Sequence, residues 1–142
     1  MTDTDTARAD SRHVSIWIDV SPAVAYAYVS DPTKLTQWAA GLANGEVNQV
    51  DGDWVVSSPL GEVRVEFAPE NSLGVVDHAV RTADGQVFYN PMRIAPDGDS
   101  EHRCEVIFTV RRLPGVNDED FAGDVAAVTA DLRQLREILL GP

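Results

Sequence analysis

Two polar side chains stand at positions where strand alternation otherwise places apolar ones, and they are the residues of this chain best suited to chemistry. Between residues 73 and 82, Val76, His78 and Val80 share one phase while Asp77, Ala79 and Arg81 take the other. Between 86 and 95, Phe88, Asn90, Met92 and Ile94 share the inward phase, opposite Gln86, Tyr89 and Arg93. An imidazole on a concave apolar face can hydrogen-bond a ligand carbonyl or act as a general acid or base, since its unperturbed pKa lies near neutrality. Asn90 has the same phase on the adjacent strand, so the pair should be close. Either Asn90 orients His78, or both point at a ligand. The plainer alternative is a core histidine satisfied by a neighbour.

The remaining candidates are walls. Tyr28, Trp38 and Trp54 offer flat apolar surfaces of the kind small-molecule sites use. Val65, Phe67, Phe88 and Met92 would extend them from the sheet, and Val125, Val128 and Leu132 would form a floor from the last helix. Trp38, just before Gly41, is placed like a gate; ordinary packing accounts more readily for Tyr28. Other chemistries find little support. His13, His78 and His102 lack zinc spacing and Cys104 has no partner cysteine, so no metal site is expected. The acidic run Asp97 to Glu101 reads as a solvated turn rather than a calcium loop. There is no glycine-rich phosphate loop and no Gly-x-Ser-x-Gly elbow, hence no expected cofactor or covalent nucleophile.

These residues need elements to hold them. Residues 1–12 are polar without apolar periodicity and read as a disordered tail ahead of one domain spanning 13–142. Val14, Ile16, Ile18 and Val20 alternate with His13, Ser15, Trp17 and Asp19 in a first strand. Ser21-Pro22 and Asp31-Pro32 are cap-plus-proline signals for two short helices. Hairpin punctuation then separates strands at about 46–50, 54–58, 62–68, 73–82, 86–95 and 101–112. In the last, Cys104, Val106, Phe108 and Val110 oppose Arg103, Glu105, Thr109 and Arg111. From Asn117 to Leu140, Phe121, Val125, Val128, Leu132, Leu135 and Leu139 recur at helical spacing behind an Asn117 cap and an acidic first turn, with Gly141-Pro142 as the stop. The order predicts an α+β fold: a curved antiparallel seven-stranded sheet around one long C-terminal helix, with two short helices after the first strand. The outward face carries Arg64, Glu66, Asp77, Arg81, Arg93, Arg103, Glu105 and Arg111. That mixture reads as cross-strand ion pairs on a solvated surface.

Composition narrows the partners. The chain has 142 residues with 23 acidic against 11 basic side chains, a formal net charge of −12 and no basic cluster, which argues against nucleic acid and anionic membranes. No apolar run approaches the ~20 residues of a bilayer span, and a lone Cys104 suits a reducing compartment, so a cytoplasmic protein without membrane insertion is expected. Self-association as a homodimer is left open.

The opening strand followed by Val20-Ser21-Pro22-Ala23-Val24-Ala25-Tyr26-Ala27-Tyr28-Val29-Ser30-Asp31-Pro32 and Trp38 resembles the start of the START-like (SRPBCC) superfamily. The ending, from Val106 to Arg112 through Leu113-Pro114-Gly115 into the helix beginning at Asp118, is similar to that of its bacterial polyketide cyclase/dehydrase-like group. The likeness spans about residues 13–140. It implies a helix-grip cavity between the long helix and the sheet, entered near the two short helices. The superfamily holds binders and enzymes alike, so fold does not choose between them. The leading expectation is a module that shelters a small hydrophobic, lipid- or polyketide-like molecule. The second is a cyclase or dehydrase-type enzyme using His78, assisted by Asn90, as acid/base. A third is an interaction protein whose cavity has collapsed.

Overall fold

The computed structural model describes residues 10–40 and 42–141. The expected tail falls largely on residues 1–9, and the segment end at Gly41 likewise lies outside the described residues. Strand β1 (Ser11–Ile18) starts two residues before the expected His13, because Ser11 and Arg12 pair with Arg111 and Val110. Asp10 adds a backbone acceptor for the Arg112 N–H at 3.0 Å.

Helix α1 (Pro22–Val29) begins on the expected cap, with Ser21 Oγ accepting from the Val24 N–H at 3.1 Å, and buries Ala25 and Val29. Asp31 caps a single 3-10 turn (Pro32–Lys34) that leads into the one-turn helix α2 (Leu35–Trp38), which buries Leu35 and Trp38. The strands that follow are β2 (Val47–Val50), β3 (Asp53–Ser58), β4 (Gly61–Phe67), β5 (His78–Thr82), β6 (Val87–Asn90), β7 (Met92–Pro96) and β8 (Cys104–Arg111). Helix α3 (Asp118–Leu140) closes the chain. Asn117 Oδ1 accepts from the Asp120 N–H at 2.7 Å, and Asp118, Glu119 and Asp120 fill the first turn, as the helix dipole favours. Gly141 ends it with φ at 74°, a backbone that glycine adopts without a Cβ clash. Arg112 fixes the approach to α3 by bonding Asp10, Asp118 and the Val116 carbonyl while its guanidinium lies 5.4 Å from the Phe121 ring centroid.

The expected single seven-stranded sheet is instead two sheets, a three-stranded one ordered β1-β8-β7 and a five-stranded one ordered β2-β3-β4-β5-β6. The cause is Pro91. It splits the expected 86–95 strand into β6 and β7 because proline has no N–H for the ladder and its ring restrains φ. The register survives the break: His78 pairs with Asn90 on one side, and Val75 bridges Arg93 on the other. Upstream of His78, residues of the expected 73–82 strand therefore reach across to β7, with the Ile94 N–H donating to the Gly74 carbonyl at 2.8 Å. Gly74 is required there. Its φ is 75°, and a Cβ would lie 2.1 Å from the Ile94 oxygen.

Asp77 spans the break. It is buried, 7 % exposed, and its carboxylate accepts from the Met92 N–H at 2.7 Å, the Tyr89 hydroxyl at 3.0 Å and both Nε and Nη2 of Arg93 at 3.2 Å. Burial works to raise its pKa, but the hydrogen bonds from Arg93, Met92 and Tyr89, with the Arg93 charge, outweigh burial and hold it below the usual carboxylate value. The expected solvated ion-pair face is present elsewhere, in Arg64 with Asp53 at 2.8 Å and Arg81 with Glu66 at 3.8 Å. Asp77 does not belong to it: the strand break draws the carboxylate inward to a backbone donor that proline has displaced.

Helix α3 packs chiefly against β1, β8 and α2. Phe121, Leu132 and Leu135 from its stripe join a core with Ile18, Met92, Ile94, Val106 and Leu35. Asp77→Ala should lower the unfolding free energy by about 2 kcal/mol, because a buried charge-assisted acceptor is lost. Arg93→Ala should cost under about 1 kcal/mol, since a half-exposed guanidinium is partly compensated by water. Urea denaturation of both variants checks the order, and equal losses would contradict this account of the break.

Candidate functional site

His78 and Asn90 are directly opposed across β5 and β6, as their shared phase requires. His78 is 2 % exposed, with the Phe67 ring centroid 5.1 Å away and that of Phe108 5.8 Å away in an edge-on arrangement. Asn90 does not orient it. Nδ1 of His78 lies 3.1 Å from the carbonyl oxygen of Val76. A carbonyl can only accept, so the neutral ring carries its proton on Nδ1 and keeps a lone pair on Nε2.

That arrangement follows from the strand break. The Val76 N–H donates to the Met92 carbonyl at 3.0 Å, and in an uninterrupted antiparallel ladder Met92 would return its own N–H to Val76. Here the Met92 N–H goes to Asp77 and the Val76 carbonyl takes the histidine. Asp77 and His78, adjacent in sequence, thus exchange ladder partners with the two backbones. Burial lowers the His78 pKa, against smaller raising effects from the Val76 carbonyl and the Asp77 charge, so the ring is held neutral at pH 7.

His78 and Asn90 border a cavity of about 330 Å³ lying between β5, β6 and β8 on one side and α2 and α3 on the other. Val80, Phe88 and Phe108 line it from the strands, and Val128 and Leu132 line it from α3. Trp38 lines the α2 end and is 2 % exposed, with its Nε1 sealed from water and lacking a hydrogen-bond partner among the described residues. Leu60, which is 68 % exposed in the β3–β4 turn, and the exposed Tyr89 also line the cavity. Arg111, Asp124 and Asp131 bring charge to its lining.

Of the expected wall residues, Trp38, Phe88, Val128 and Leu132 border this space together with His78 and Asn90, and the others do not. Tyr28 is turned away, its hydroxyl donating to Gln37 Oε1 at 2.5 Å. Trp54 lies half-buried across from Val65, and Val65 itself is core. Phe67 packs against the His78 ring, its centroid 5.1 Å away, and is not among the residues bordering the cavity. Met92 is fully buried at the strand break. Val125 faces a separate polar cleft beside Asp10, Arg112 and Phe121, because a 23-residue helix that serves β1 along its length cannot turn every apolar side chain to one cavity. Sequence reasoning missed Leu60 and Tyr89. Leu60 sits in a turn, and Tyr89 has the outward phase, so alternation pointed away from both.

No protein-family model and no curated protein matches the chain. Similar solved structures include an uncharacterised protein from Bacillus thuringiensis, with 14 % identity, a TM-score of 0.71 and coverage of 93 % of this chain and 100 % of the other. The protein XoxI from Bacillus cereus has 14 % identity and a TM-score of 0.70 over 92 % of this chain and 95 % of its own. Truncated norcoclaurine synthase from Thalictrum flavum has 12 % identity and a TM-score of 0.60 over 94 % and 95 %. At such identities the likeness concerns the fold alone, an α+β arrangement of the helix-grip type.

A histidine held neutral in the folded state makes stability depend on pH. The unfolded chain takes up a proton near pH 6.5 that the folded chain resists, so stability should be complete above that value and fall as the pH drops below it. The slope from this one group is at most about 1.4 kcal/mol per pH unit. Thermal melts of wild type and His78→Gln between pH 7 and pH 5 should show a shallower decline in the variant, and parallel curves would rule out a desolvated His78.

Proposed function

We propose that this protein binds a small, largely apolar, lipid- or polyketide-like molecule in the cavity between α3 and the strands. The observation that carries this reading is the cavity itself, about 330 Å³ with apolar walls interrupted by a few polar groups, which is the usual make-up of a small-molecule site. A dry cavity of ~150 Å³ accommodates a benzene ring. A two-ring molecule is therefore the natural size. No helix of the described residues is long and apolar enough to cross a membrane. The acidic chain and a buried Cys104, whose thiol pKa is raised by burial, suit a binder working in the cytoplasm.

A second reading is supported by the tautomer of His78. A neutral imidazole with its proton fixed on Nδ1 and its lone pair left on Nε2 is arranged as a general base, which a polyketide cyclase or dehydrase-type reaction could use, with Asn90 beside it to hold the substrate. Norcoclaurine synthase, an enzyme by name and described in complex with a transition-state analogue, indicates that a fold of this kind accommodates catalysis.

The binding reading is tested with N-phenyl-1-naphthylamine, whose fluorescence rises in apolar surroundings. The wild type should bind it saturably. Val128→Phe, which extends a half-buried side chain into the cavity from α3, should weaken binding by about tenfold or more, as expected for the loss of roughly 1.5–3 kcal/mol of apolar burial. Unsaturable fluorescence, or undiminished affinity in the variant, would remove the support for this cavity as the site.

A further inference from the structure

We propose that Trp38 and His78 select the polar end of the occupant in opposite senses: Trp38 Nε1–H takes an uncharged acceptor oxygen, and His78 Nε2 takes a hydroxyl donor. The inference rests on the binding reading above and adds which chemistry the site distinguishes. Trp38 is the starting point. An indole N–H can only donate, and buried indoles ordinarily find an acceptor. The Trp38 Nε1 has none among the described residues, although the side chain is almost wholly buried and borders the cavity. Leaving such a donor unpaired is costly. Nearby hydroxyls show how consistently the fold pairs its other polar groups: Tyr26 Oη accepts from the Asn71 N–H at 3.0 Å, and Tyr28 Oη donates to Gln37. An occupant that brings an oxygen to the indole satisfies that donor, with the small side-chain readjustment common on binding.

His78 makes the complementary demand. With Nδ1–H committed to the Val76 carbonyl, Nε2 is the ring atom that remains for an occupant, and it can only accept. Asn90 offers both a donor and an acceptor, so it tolerates either group and discriminates little. The charged lining residues Arg111 and Asp124 are exposed. Asp131, on the α3 side of the lining, is half-buried. Trp38 and His78 themselves bring no charge to the cavity, since desolvation keeps the imidazole neutral. A carboxylate placed there would lack a buried counter-charge, since Arg111, the one cationic lining residue among the described residues, is exposed, and that is costly. Hydroxyl and uncharged acceptor oxygens meet no such penalty.

The test compares naphthalene, 2-acetonaphthone and 2-naphthol, which share one two-ring body and differ in having no polar group, an acceptor or a hydroxyl. Wild type should prefer 2-acetonaphthone over naphthalene by roughly tenfold, the effect of satisfying one buried donor. That preference should fall to near unity in Trp38→Phe, while the preference for 2-naphthol persists there and is lost in His78→Phe. Because each ratio is taken within one variant, a general loss of affinity or stability cancels. The wild-type protein labelled with ¹⁵N supplies a readout that does not depend on the variants folding: the Trp38 indole N–H resonance should move downfield with 2-acetonaphthone and not with naphthalene. Naphthalene binding with an unchanged ratio in Trp38→Phe, or equal movement of that resonance with both probes, would overturn the inference and leave the binding reading standing. Failure of all three probes to saturate the wild type would overturn the binding reading as well.

Discussion

A proline without a backbone donor, set opposite an aspartate, is the constraint on which this structure turns. At Pro91 the antiparallel ladder cannot continue in its ordinary form. Asp77 replaces the missing regularity by accepting the Met92 N–H at 2.7 Å on Oδ1, and its other oxygen engages Tyr89 and Arg93. The chain thereby keeps its register while changing sheets. A continuous strand here would have produced one sheet. The interruption lets the β1-β8-β7 sheet take α3 while the five-stranded sheet supplies the far wall of the cavity.

The same exchange prepares the histidine. Once Asp77 has taken the Met92 N–H, the Val76 carbonyl is open to His78 Nδ1, and the proton that settles there determines what Nε2 can do. A buried carboxylate and a buried imidazole on successive residues would ordinarily face opposite sides of a strand with no common purpose. Here they share one backbone irregularity, Asp77 closing it from outside and His78 from within. The histidine is both a structural residue, held by its own backbone, and a cavity residue with one nitrogen uncommitted. Neither description excludes the other, because the two ring nitrogens have separate partners.

Much of this architecture was legible in local patterns. The caps at Ser21, Asp31 and Asn117 act where they were expected, and each does so through a bond between its own side chain and a backbone N–H two or three residues away. The inward phase of Val63, Val65, Val106 and Phe108 is likewise a local property, since strand geometry alternates side chains regardless of partner. The pairing of His78 with Asn90 followed from phase and order. Asp77 was misread by the same rule: its phase is outward, but a break elsewhere in the chain gave it a buried donor. Tyr89, also outward by phase, nevertheless borders the cavity. Trp54 and Val125 share the inward phase of their elements yet miss the cavity, as phase specifies a face and not a position along it.

The sequence alone determined the order of strand, short helices, strands and long helix, the caps of the helices, which face of each element is apolar, and that one histidine and one asparagine interrupt the inner face. Those are consequences of residue type and spacing within a few positions of each other. Tertiary structure alone decided that the sheet is two sheets, that Asp77 belongs to the interior, that His78 protonates on Nδ1, and that Trp38, which borders the cavity, has a buried N–H without a partner among the described residues. Each of these depends on which distant backbone or side-chain atom comes within about 3 Å, the range over which a hydrogen bond is made or missed. Spacing along the chain does not encode that proximity.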